Sequence, residues 1–94
     1  MPNVLRPRER ADLKARAHAL NPVVQIGQGG ASDAAVAEVD RALTAHELIK
    51  VRLAGDRDER EMLANTLAGR TDAAIVQQVG RVVVLWRPRP DDAA

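Results

Sequence analysis

The chain has no cysteine, no phenylalanine, no tyrosine and a single tryptophan in 94 residues. Without cysteine there is no disulfide, no thiolate metal site and no thiol nucleophile, a composition that fits a reducing compartment. With one aromatic ring in the whole chain, single-stranded bases cannot be read on a row of stacked rings, the usual device of sheet-based RNA readers. Long apolar runs are also missing, and none approaches the ~20 residues of a membrane span. The segment Met1-Pro2-Asn3-Val4-Leu5-Arg6 carries no apolar stretch of the signal-peptide kind. Hydroxyl side chains are few, and Ser32, Thr44, Thr66 and Thr71 sit in no nucleophile-elbow pattern. These absences predict a soluble, cytoplasmic protein with no catalytic constellation, no cofactor and no small-molecule substrate.

A chain of this length forms one domain, expected over residues 1–94 with a core at about 5–88 and a frayed tail at 89–94, and buries about 65% of its unfolded surface. Net charge is only +1, but the charge is polarised. Residues 1–30 carry five cations (Arg6, Arg8, Arg10, Lys14, Arg16) against two anions, whereas residues 31–61 carry five against eight. Such polarity steers polyanions toward one end of a molecule.

Helix formers and an apolar stripe at Leu13, Ala17 and Leu20 predict a first helix over 8–19, stopped by Asn21-Pro22. A strand follows at about 22–27, then a helix over 32–46 with Ser32 as N-cap and a stripe of Val36, Val39 and Leu43. Strict alternation over 47–54 predicts a strand with Leu48, Lys50 and Arg52 on one face and Ile49, Val51 and Leu53 on the other. Asp56 and Glu59 have capping-box spacing and open a third helix, expected to turn Met62, Leu63, Thr66 and Leu67 inward and to stop at Gly69. Strands at about 73–79 and 81–87 join through a tight hairpin at Gly80-Arg81. The run from Val82 to Trp86 is apolar throughout, as in a strand covered on both faces, and Pro88 and Pro90 end it. The order α-β-α-β-α-β-β predicts an α/β domain: a four-stranded mixed sheet packed with helices.

The candidate site is Gly27-Gln28-Gly29-Gly30, placed between strand and helix. Glycine lets a ligand come close to the backbone, and the free N–H groups of a helix's first turn favour an anion such as phosphate. The spacing is neither G-x-G-x-x-G nor that of a P-loop, because no Lys-Ser or Lys-Thr follows. A GxxG clamp on a nucleic-acid backbone remains, opposed in part by Asp33 in the first turn of the helix. Arg6, Arg8, Arg10, Lys14 and Arg16 supply cations for phosphates, with Arg10 and Lys14 four apart on one strip. Lys50 and Arg52 are a further contact on the sheet. The cluster Asp56, Asp58, Glu59 and Glu61 is interleaved with Arg57 and Arg60 and reads as a solvated helix start, not a metal site. His18 and His46 lie near helix ends and read as packing or capping residues, and Trp86 reads as core.

Three separated segments carry a family resemblance. They are Leu13 to Gly30 with Leu20-Asn21-Pro22-Val23-Val24-Gln25-Ile26-Gly27 leading into GxxG, His46-Glu47-Leu48-Ile49-Lys50-Val51, and Val79-Gly80-Arg81 running to Leu85-Trp86-Arg87-Pro88. In these the chain resembles the CRM domain, and over almost its full length the single-domain bacterial YhbY family. The resemblance implies a fold similar to the C-terminal domain of translation initiation factor three. It also implies RNA binding, association with precursors of the large ribosomal subunit, and RNA contacts at the GxxG loop and the basic first helix. The chain departs from the family pattern at Gln28 and Gly29, where lysine and asparagine are common, at Trp86, where tyrosine or phenylalanine is usual, and in its acidic Asp91-Asp92. A second reading keeps the association with ribosomal particles but makes the protein an adaptor between proteins with little direct RNA contact.

Overall fold

A computed structural model describes residues 5–88; the expectations for residues 1–4 and for the tail at 89–94 lie outside the described residues. The elements run α1 (Pro7–Ala17), β1 (Pro22–Ile26), α2 (Asp33–His46), β2 (Leu48–Leu53), α3 (Arg57–Thr71), β3 (Ala74–Val79) and β4 (Val82–Trp86). Local chemistry sets the boundaries. Pro7 opens α1 where its missing N–H costs nothing. Ser32 Oγ accepts from the Ala35 N–H at 3.2 Å and caps α2. Asp56 and Glu59 each accept the other's backbone N–H at 2.9 Å, the reciprocal capping box that starts α3.

The strand order is β1-β2-β4-β3. β1 pairs with β2 in parallel, and β4 is antiparallel to both β2 and β3. The strands β1, β2 and β3 therefore all end at one edge of the sheet, where Gly27, Ala54 and Gly80 emerge. Alternation assigns the two faces. Ile49, Val51 and Leu53 join Val24, Ile26, Val83 and Leu85 in a core sealed by Val39 and Leu43 of α2 and Leu67 of α3. Leu48, Ala74, Val76 and Val84 form a smaller cluster under Leu5, Leu13 and Ala17, with Trp86 and Leu20 packed at its margin. β4 is covered on both faces at Val83, Val84 and Leu85, while its end residues Val82 and Trp86 are half-buried.

Two expectations for α3 are corrected. The helix runs through Gly69 to Thr71 and ends on Asp72, whose φ of 60° and ψ of 33° are left-handed. Its buried face is Ala64, Leu67, Ala68 and Thr71, while Met62 and Thr66 are exposed and Leu63 is half-buried. The alanines explain the rotation: small side chains let the helix lie close on the sheet, and the bulkier Met62 is turned outward. At the opposite end of the sheet Arg87 clamps the layers together. Its guanidinium donates to Asp40 Oδ1 and the Thr71 carbonyl, both at 2.7 Å, and to Thr44 Oγ1 at 3.0 Å, so β4, α2 and α3 share one side chain.

Candidate nucleic-acid interface

The glycine turn is closed by a hydrogen bond from the Gly30 N–H to the Gly27 carbonyl at 3.1 Å. Gly30 has a φ of +66°, which a residue with a Cβ adopts only at a cost. Gly27 and Gly29 differ: a Cβ at either would meet nothing within 4 Å. The protein's own packing thus makes no demand for glycine at these two positions, and the surface there is smooth and open. Gly27, Gln28 and Gly29 are exposed, immediately before the capped first turn of α2.

Asp33 is not left to oppose an anion. Arg70, near the end of α3, donates through Nη2 to Asp33 Oδ1 at 2.9 Å and through Nη1 to the Ala31 carbonyl at 3.0 Å. The ion pair is exposed and contributes little to stability, but it offsets the acid at the base of the turn. Sequence reasoning missed Arg70, because a partner 37 positions away leaves no local spacing to detect.

The five cations of the N-terminal segment do not act as one face. The Arg10 guanidinium is half-buried and donates to the carbonyls of Ile75 and Val76 at 2.5 and 2.7 Å, tying α1 to β3. Its strip-mate Lys14 is exposed, as are Arg6, Arg8 and Arg16. Arg6 is the N-cap residue of α1, and its backbone N–H donates to Glu9 Oε1 at 3.0 Å. Arg16 shares a depression with Val23, His46 and Leu48, at the start of β1. The glycine turn is at the other end of that strand, about 16 Å along at ~3.3 Å per residue. Neighbours in sequence are here separated in space, since α1 crosses the sheet from β3 toward the start of β1.

Among the sheet's cations Arg52 stands nearer the turn, opposite Gln25, while Lys50 lies opposite Pro22 at the start of β1. Lys50 and Arg52 share a face, as alternation predicts, and it is the face that α1 covers only in part. The cross-strand row Gln25–Arg52–Val82–Val79 stays open beyond the helix. Arg52 and Arg81 line a depression with Gln25 and Ala54 beside the end of β1. A larger depression of about 500 Å³ holds Lys50, Arg52, His18 and Gln77, and no acidic residue lines either one. Lys50, Arg52 and Arg81 form no ion pair with another described residue. Arg81 was missed because it reads as a hairpin residue.

On the other side of the turn a cleft of about 480 Å³ separates it from α3. Gly27, Gln28 and Gly30 line one wall, and Glu59, Met62, Leu63 and Thr66 form the other. These four recur at helical spacing, so α3 presents a second face beside its buried one. Among the described residues no three His, Cys, Asp or Glu side chains gather into a metal-binding group. His18 is the C-cap residue of α1 and His46 lies in the last turn of α2, both exposed.

Residues 5–87 match the family model described as the CRS1/YhbY (CRM) domain. The chain belongs to that family. Among its relatives, an RNA-binding protein of Haemophilus influenzae is 44% identical over 85 residues, covering 89% of this chain and 86% of its own. The Bacillus subtilis protein named "probable RNA-binding protein YqeI" is 32% identical over 85 residues, covering 89% and 88%. A solution structure from Staphylococcus aureus, described as an RNA-binding candidate, superposes with a TM-score of 0.81 at 32% identity over 90% of each chain. The CRM domain thus accounts for nearly all of the described residues, with the glycine turn, the open half of the sheet face and the cleft inside it.

Proposed function

We propose that this protein binds RNA without catalysing a reaction on it. Its target is ribosomal RNA in precursors of the large ribosomal subunit, where it assists assembly in the cytoplasm. One observation carries the reading: an open glycine turn at the mouth of α2 whose Gly27 and Gly29 the fold does not itself require, in a family whose relatives are named for RNA binding. Gly27, Gln28, Gly29 and Gly30 seat the sugar–phosphate backbone, and the exposed Arg6, Arg8, Lys14 and Arg16 attract it. Lys50 and Arg52 extend the cationic surface toward the turn, while Arg10 acts through the position of α1. The ribosomal target follows the resemblance to stand-alone bacterial members. No described helix is long and apolar enough to cross a membrane.

Binding of a single-stranded RNA across a salt series tests the reading. For Lys14→Ala/Arg16→Ala the log–log slope is expected to fall in magnitude by roughly 0.7 for each phosphate no longer neutralised. Gly29→Asp, which the fold tolerates, is expected to weaken binding by placing an anion at the seat. An unchanged slope together with unchanged affinity in Gly29→Asp overturns the proposal. Co-sedimentation with ribosomal particles that survives nuclease treatment would favour the adaptor reading instead.

A further inference from the structure

The cleft between the glycine turn and α3 is not needed to hold a backbone. Its walls differ in character. The turn side is glycine-rich and lies next to the start of α2, suited to an anion. The α3 side is thioether and aliphatic, Met62 and Leu63, with Glu59 one turn before them. That apolar surface offers phosphate no hydrogen-bond donor but accepts a neutral heterocycle, whose N–H groups the Glu59 carboxylate can receive. Met62 is 71% exposed, the most exposed large apolar side chain among the described residues. Sulfur is polarisable and makes favourable contacts with aromatic rings. The chain has too few rings to stack bases in the usual way, and this is a different way to hold one.

We propose that the cleft seats one unstacked RNA base against Met62 and Leu63 while its phosphodiester rests on the glycine turn. The inference builds on the RNA-binding reading and changes its content: recognition at the turn includes a base as well as the backbone. The difference in character between the walls fixes the orientation, phosphate toward the open glycine turn and base toward the apolar Met62 and Leu63 of α3. The cleft volume of about 480 Å³ is within the range of small-ligand sites.

The test uses the full chain with two probes, a 12-nucleotide single-stranded RNA and its abasic ribose-phosphate counterpart, and follows the Met62 methyl resonance, assigned by its loss in Met62→Ala. Met62→Ala is expected to weaken binding of the base-bearing probe roughly 2- to 10-fold and to leave the abasic probe and the salt slope unchanged. The methyl resonance is expected to move upfield, under the ring current of a base, with the first probe only. If the methyl does not move while RNA binds, or Met62→Ala weakens both probes equally, the base seat is overturned and the RNA-binding reading stands. If neither probe binds, both fall. If an apolar peptide moves the methyl and RNA does not, the cleft belongs to a protein partner and the proposal is overturned.

Discussion

From the single strand β2, Ile49, Val51 and Leu53 point into a layer sealed by two helices, while Leu48, Lys50 and Arg52 point toward a face that one helix covers only in part. On the first face these three side chains of β2 are aliphatic and closed to water. On the second, burial stops where α1 ends, and cations and amides take over along the same strands. Stability is therefore concentrated on the α2/α3 face, and the α1 face divides between packing and exposed charge. A single strand serves both because its side chains alternate.

Core truncations test that division with the largest expected effect. Leu43→Ala on the sealed face should cost about 2–5 kcal/mol, since a fully buried site between two layers cannot collapse. Leu13→Ala under α1 should fall at the low end, about 2 kcal/mol, because the helix can settle onto a partly open face. Denaturant midpoints at constant m report both, and equal losses would break the comparison. Next is the pair on α1. Arg10→Met should cost about 1–3 kcal/mol by removing two hydrogen bonds to carbonyls of β3, whereas Lys14→Met should stay within about 0.5 kcal/mol yet reduce the salt dependence of RNA binding. The smallest contrast lies in the turn. Gly30→Ala should cost about 1 kcal/mol for a Cβ at positive φ, and Gly29→Ala should leave the melting temperature unchanged within error.

Much of this was legible locally. Ser32, the Asp56–Glu59 box, the alternation in β2 and the placement of the turn each depend on residues a few positions apart, and each is found in the fold. The errors arose where local size misled. Met62 and Thr66 look like an inward stripe beside Leu63 and Leu67, but Ala64 and Ala68 are what fit against the sheet. Arg10 and Lys14 look equivalent at four apart, but only one lies over the carbonyls of β3.

The sequence by itself determined the elements, their caps, the two chemistries of β2 and the position of a glycine turn at a helix mouth, because short-range geometry and periodicity govern these. Tertiary structure alone decided which charges stand near that turn. It set Arg16 at the far end of β1 and Arg10 over β3, brought Arg70 to Asp33 and Arg81 beside Arg52, and left Met62 facing the turn across a cleft. These contacts join residues tens of positions apart, and they exist only after strand order and helix packing have folded the chain onto itself.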